Sequence, residues 1–187
     1  MRVVAGKYKG FILQSPKLSS SRPTDNKVKE AIFDMLYPFR DDFTALDLFS
    51  GTGQMGIEFL SRGAREVTFN ERNSSTFSIL NKNIEKVKAT NVSVDRLDFK
   101  KALKKYKECG TKFDYIFLDP PYEGDLVEQS IKLILEYELL SDEGIIITES
   151  DKELDFSDIG ELTPIKVKSY GRKQVNIYKA NESYLSR

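Results

Sequence analysis

Two rhythms of hydrophobic and polar residues run along this chain. From Thr44 onward, short apolar runs of β-type alternate with amphipathic stretches of helical period. The runs Ala45–Phe49, Glu66–Asn70, Val92–Leu97, Phe113–Leu118 and Gly144–Thr148 read as strands. Between them, residues 54–62, 74–87, 99–107 and 126–139 carry apolar positions three and four apart and read as helices. Strand and helix in alternation predict an α/β fold with a doubly wound, mostly parallel sheet. The rhythm breaks at the end, where "TPIKVKSYGRKQVNIYKAN" holds two strand patterns joined by Tyr170-Gly171-Arg172 with no room for a helix. They predict an antiparallel hairpin at one sheet edge and bring the strand count to seven.

Ahead of Thr44 the pattern is different. Residues 1–23 are polar and basic, with β-like pieces at Val3–Ala5 and Phe11–Leu13 set around Gly6 and Gly10, which predicts a small β-hairpin. A connector over residues 15–23 leads into a helix that starts at Pro23-Thr24-Asp25, with Thr24 or Asp25 as its cap. Val28, Ala31, Ile32, Met35 and Leu36 form its apolar face, and Pro38 stops it. The expected division is therefore residues 1–23 as hairpin and basic arm, and residues 24–187 as the main domain.

Composition narrows the chemistry. The 187 residues are 40% hydrophobic and 31% charged, as expected of a soluble globular chain. No apolar run reaches the roughly 18 residues that span a bilayer, and the first residues lack the apolar core of a signal peptide. With Cys109 as the single cysteine, the expectation is a reduced, cytoplasmic protein without disulfides. The chain has no histidine, which excludes His-based triads and His-ligated zinc, and no metal is expected. Its formal net charge is zero, yet residues 1–30 carry seven basic side chains against two acidic ones. A basic arm on a neutral protein suits a phosphate-bearing partner. Lys100, Lys101, Lys104, Lys105 and Lys107 form a second basic cluster.

The first strand ends in "LDLFSGTGQMG", where Gly51, Gly53 and Gly56 are spaced as G-x-G-x-x-G. Glycines here let the backbone turn sharply and approach a ligand closely. Glu71 ends the next strand 20 residues beyond Gly51, where a carboxylate can accept hydrogen bonds from the two hydroxyls of an adenosine ribose. NAD and S-adenosylmethionine both carry that ribose, so these residues alone leave an oxidoreductase and a methyltransferase open. Asp47 leans toward the second, because an acid beside the loop would repel a pyrophosphate and suit an amino-acid ammonium. Gly56 falls in the first helical turn and reads as incidental to the pattern. Asp98 opens the helix after the third strand, as a helix cap or as a partner for the adenine amino group.

"FLDPPYEG" follows the fourth strand, at the face where doubly wound sheets bind ligands. Pro120 and Pro121 stop the ladder and fix the backbone, so that the Asp119 side chain and the Pro120 carbonyl become two rigid acceptors beside the Tyr122 ring. An exocyclic amino group on a nucleobase is a poor nucleophile, its lone pair delocalised into the ring. Two acceptors gripping its hydrogens would free that lone pair, while stacking on Tyr122 would add roughly 1–3 kcal/mol of base binding. Guanine N2, adenine N6 and cytosine N4 all suit this motif.

With these motifs in hand, a mostly parallel sheet that ends in an antiparallel hairpin resembles the class I S-adenosylmethionine-dependent methyltransferases, a Rossmann-like fold. More narrowly, "MRVVAGKYKG", "RPTDNKVKEAIFDML", "LDLFSGTGQMGIEFLSRGA" and "FLDPPY" resemble the bacterial 16S rRNA guanine-N2 methyltransferases of the small-subunit methyltransferase D family, over nearly the whole length. Arg22-Pro23-Thr24 joined to the N-terminal hairpin is the most family-specific part. The resemblance implies methyl transfer from S-adenosylmethionine, leaving S-adenosylhomocysteine, to the N2 amino group of a guanine in 16S rRNA. It implies the small ribosomal subunit or its assembly intermediate as partner, a monomeric enzyme and no membrane. Asp119, Pro120, Pro121 and Tyr122 would sit at the target base. Asp47, Phe49, Ser50, Gly51, Thr52, Gly53, Glu71, Arg72, Asp98, Phe99 and Asp119 would surround the cofactor. Arg2, Lys7, Lys9, Arg22 and Thr24 would meet RNA.

Overall fold

The structure, a computed structural model, describes residues 1–16, 23–121, 125–150 and 161–186. Its seven strands form a sheet of order β3-β2-β1-β4-β5-β7-β6. They are β1 (Thr44–Asp47), β2 (Glu66–Asn70), β3 (Val92–Asp95), β4 (Phe113–Leu118), β5 (Leu140–Ser150), β6 (Leu162–Tyr170) and β7 (Lys173–Ala180). The helices are α1 (Pro23–Leu36), α2 (Gln54–Ser61), α3 (Ser74–Val87), α4 (Phe99–Glu108), α5 (Leu126–Glu136) and the short α6 (Glu182–Leu185). The fold is the expected α/β class, mostly parallel with an antiparallel end. The chain divides into two compact units, Met1–Leu97 and Asp98–Arg187.

In the first unit, β1, β2 and β3 pair in parallel, Asp47 lying opposite Phe69. The strands are apolar because both faces are covered, with Ala45, Leu46, Val67 and Phe69 all fully buried. Helix α1 buries Val28, Ile32, Phe33 and Leu36, the expected face with Phe33 added to it. The Phe33 ring meets that of Phe59 on α2 at 4.8 Å, edge to face.

The N-terminal residues form the expected small hairpin in its shortest form, an antiparallel bridge of Arg2 with Ile12. Val3 donates to the Phe11 carbonyl and accepts the Gly10 amide, and Leu13 donates to the Met1 carbonyl. Val4 and Ala5 donate their amides elsewhere, to the two carboxylate oxygens of Glu58, both at 3.0 Å. Glu58 lies in α2 and is fully buried. Its charge is balanced by Lys29 of α1 and by Arg62, each at 3.2 Å. Lys29, itself buried, also donates to the Arg2 carbonyl at 2.6 Å. Burial holds the Lys29 ammonium below its ordinary pKa, while the Glu58 charge opposes that shift. Ser61, one helical turn on, accepts from the Tyr8 and Lys7 amides and donates to the Ala5 carbonyl.

In the second unit β4 and β5 are parallel, and β7 runs antiparallel between β5 and β6. The terminal hairpin is as expected, its turn reduced to Gly171-Arg172 because Tyr170 pairs with Lys173. Strand β5 starts four residues earlier than the pattern suggests. Leu140 pairs with Phe113 across a register shift, and the Tyr184 hydroxyl of α6 bonds both the Leu140 amide and its carbonyl. The polar run Ser141-Asp142-Glu143 hid this extension. No described helix is long and apolar enough to cross a membrane.

Replacing Glu58 by alanine leaves the buried Lys29, the half-buried Arg62 and two amides without their acceptor. The expected cost is about 3–5 kcal/mol, read as a lowered urea midpoint, together with faster amide exchange at Val4 and Ala5.

Candidate functional site

The first unit concentrates its unusual chemistry at the carboxyl ends of β1 and β2. Gly53, the residue before α2, has no side chain with which to cap the helix. Asp47 does so from the end of β1, its Oδ2 accepting the Gly56 amide at 2.9 Å. The carboxylate thereby sits at the positive end of the helix. Asp47 is nonetheless 1% exposed, and burial pushes its pKa up to about 7. The Gly56 hydrogen bond opposes that rise and the nearby Glu71 charge adds to it.

Gly56 is no incidental member of the pattern. A β-carbon there would lie 2.1 Å from Cε1 of Phe69. The bare helix face lets α2 approach β2 closely enough for its third amide to reach Asp47. Gly51 serves differently: its φ is +55°, in the left-handed region, and nothing lies within 4 Å of where a β-carbon would stand. The loop therefore presents open backbone on that side.

Glu71 closes the loop. Its Oε2 accepts the Gly51 amide at 2.9 Å and its Oε1 the Asn73 amide at 2.6 Å. Burial raises its pKa and the two amides oppose the rise. A carboxylate offers about four lone-pair positions, so each oxygen retains capacity for one more donor. Ser50, expected at the cofactor, braces the loop: its hydroxyl donates to the Asp47 carbonyl at 2.6 Å and accepts the Asn70 amide at 3.0 Å. Thr52 is buried, Phe49 partly so and Arg72 exposed.

Two amide side chains that the sequence reading did not select complete this end of the unit. Asn70 is 2% exposed, donates to the carbonyls of Leu48 and Leu97 and accepts the Leu97 amide. Asn83, fully buried in α3, donates to the Thr52 carbonyl at 2.9 Å. Both use single side chains to reach backbone far away in sequence, which local pattern does not reveal. The exposed Arg2, Lys7 and Lys9 lie on the arm of this unit. Thr24 is the second residue of α1; Arg22 and Tyr122 lie outside the described residues.

In the second unit Asp98 caps α4, accepting the Lys100 amide at 3.1 Å, and Phe99 is buried in the first turn. Asp119 is half-buried, Pro120 buried and Pro121 exposed, directly after β4. Among the described residues no cluster of acids or cysteine could hold a metal ion.

S-adenosylmethionine would bring a ribose diol and an amino-acid ammonium to this loop. Open backbone at Gly51, a carboxylate with free lone pairs at Glu71 and a buried acid at Asp47 fit a cofactor with a ribose diol and an ammonium group. A pyrophosphate fits less well, since two acids stand at the turn and already take its Gly51 and Gly56 amides.

Asp47 also fixes a pH dependence. The unfolded carboxyl titrates near 3.8 and the folded one near 7, so folding favours the protonated form. Its stabilising contribution is full below about pH 4 and is lost as the pH rises to about 7. Melting temperatures of the cofactor-free protein between pH 5 and 8 should fall less for Asp47→Asn than for the parent.

Comparison with known proteins places these features in context. The pattern of the conserved hypothetical protein 95 family matches residues 1–179. A candidate rRNA methyltransferase of Bacillus subtilis, YlbH, is 38% identical over 96% of this chain and 98% of its own. The ribosomal RNA small subunit methyltransferase D of Haemophilus influenzae is 32% identical over 95% of this chain and 93% of its own. Among solved structures, the candidate methyltransferase yhhF of Escherichia coli superposes with a TM-score of 0.85 at 31% identity, covering 97% of this chain and 98% of its own. On these matches the chain belongs to the conserved hypothetical protein 95 family, and its place is with the small-subunit rRNA methyltransferase D proteins, on the class I methyltransferase fold.

Proposed function

We propose that this protein transfers a methyl group from S-adenosylmethionine to the exocyclic N2 amino group of one guanine in 16S rRNA, in the small ribosomal subunit or an assembly intermediate. One observation carries the cofactor half of the reading. Glu71 and Asp47 stand at the turn and take the Gly51 and Gly56 amides, and two acids there favour an adenosine cofactor that is cationic and free of phosphate. The names of the relatives support the substrate half.

Bound S-adenosylmethionine supplies an electrophilic methyl group on a sulfonium. Glu71 accepts the ribose hydroxyls through its remaining lone pairs. Asp47 offers its charge to the amino-acid ammonium, which offsets the cost of keeping that carboxylate ionised in a buried place. Asp98 receives the adenine amino group, and Phe49, Ser50, Thr52, Gly53, Arg72 and Phe99 shape the surroundings. Asp119 and the Pro120 carbonyl accept the two hydrogens of the target amino group, with Tyr122 stacked on the base and Pro121 stiffening the turn. As the nitrogen bonds to the methyl carbon, the carbon–sulfur pair returns to sulfur. The nitrogen then sheds one proton to water by way of Asp119. No histidine is needed, because orientation rather than strong base carries the step. Arg2, Lys7, Lys9, Arg22 and Thr24 hold the RNA, and the enzyme works as a cytoplasmic monomer.

Small subunits from a strain lacking the enzyme, incubated with radiolabelled S-adenosylmethionine and this protein, should take label at N2 of one 16S guanine. Label on adenine N6 or cytosine N4 would move the substrate, and no label would overturn the reading. Asp119→Ala should lower turnover by about 10²-fold or more while S-adenosylhomocysteine binds as before by calorimetry.

A further inference from the structure

The arm and the cofactor loop meet at one side chain. Asn83 is fully buried in α3, and its amide makes three hydrogen bonds to two distant backbones. Its Oδ1 accepts the Gln14 amide at 2.7 Å. Its Nδ2 donates to the Gln14 carbonyl at 3.0 Å and to the Thr52 carbonyl at 2.9 Å. The pair of bonds to Gln14 imitates a strand partner, so the arm is held there by a side chain instead of a neighbouring strand. One turn further along α3, Lys86 donates to the Ile12 carbonyl at 2.6 Å and holds the same segment. Thr52 stands between Gly51 and Gly53, and the Gly53 amide donates to the Ser50 carbonyl at 2.7 Å. Moving the Thr52 peptide therefore moves the loop that carries the Gly51 and Glu71 contact.

We propose that Asn83 is a positioning residue that couples the basic arm to the cofactor loop, so that ordering either one stabilises the other. The proposal rests on the reading of this loop as the seat of S-adenosylmethionine. A buried amide with both ends engaged has no slack: if Gln14 withdraws, Asn83 loses two of its three hydrogen bonds, and its bond to Thr52 is no longer fixed in direction. Coupling of this kind is reciprocal, so RNA held on the arm raises cofactor affinity by the same factor that bound cofactor raises RNA affinity. An enzyme so built engages its substrate best when its methyl donor is loaded.

Amide hydrogen exchange on the full chain, with and without saturating S-adenosylhomocysteine, tests this. Cofactor product should slow exchange at Gly51 and Gly53 and also at Gln14, the last by about fivefold or more. In Asn83→Ala the slowing at Gly51 and Gly53 should persist while that at Gln14 disappears. Should that variant not fold, Leu13→Ala loosens the buried anchor of the arm with Asn83 in place. It should weaken S-adenosylhomocysteine binding by about fivefold. Protection at the glycines but not at Gln14 in the parent, or wild-type affinity in Leu13→Ala, overturns the coupling alone. No protection at either glycine in the parent overturns the cofactor reading, and the coupling with it.

Discussion

Helix α2 lies so close to β2 that no β-carbon fits between Gly56 and the Phe69 ring. Much of the first unit depends on that contact. It brings the third amide of the helix within reach of Asp47, and that bond substitutes for the cap that Gly53 cannot supply. The same placement sets Glu58 and Ser61, further along α2, where they fasten the arm. A larger residue at position 56 would push apart strand, loop and arm together, since interiors are packed too densely to absorb a local shift.

Three acids solve one problem in different ways. Glu58, Glu71 and Asp47 each hold backbone amides, and each is buried to some degree. Glu58 has two cations beside it and serves structure alone. For Asp47 and Glu71 burial outweighs the amides they hold and lifts the pKa of both. On the proposed function, the ammonium and ribose of the methyl donor would offset that cost.

Much of the architecture was legible in the chain because it is local. Helices 54–61, 74–87 and 99–108 and the strands beside them follow from periodicity, and Glu71 follows from its distance to Gly51. What escaped was decided by partners far away in sequence. Gly56 looked incidental because its reason is a ring 13 residues on. The hairpin of the first residues was legible, but nothing nearby said that Glu58, more than 50 residues away, would take the amides of Val4 and Ala5. Leu140 was left out of β5 because the polar residues after it hid a pairing that Tyr184 completes. Asn70 and Asn83 carried no local signal, asparagine being common in turns and unremarkable inside a helix.

The place of β7 between β5 and β6 has a consequence for how the second unit is assembled during synthesis. The strand that completes the middle of this sheet is the last of the three to leave the ribosome, so the long, apolar β5 waits with one edge unpaired. Strands β6 and β7 need only a two-residue turn to form a hairpin, which is fast, local and independent of β5. Arriving as a preformed pair, they cover the open edge in a single event and shorten the interval in which another chain could take their place.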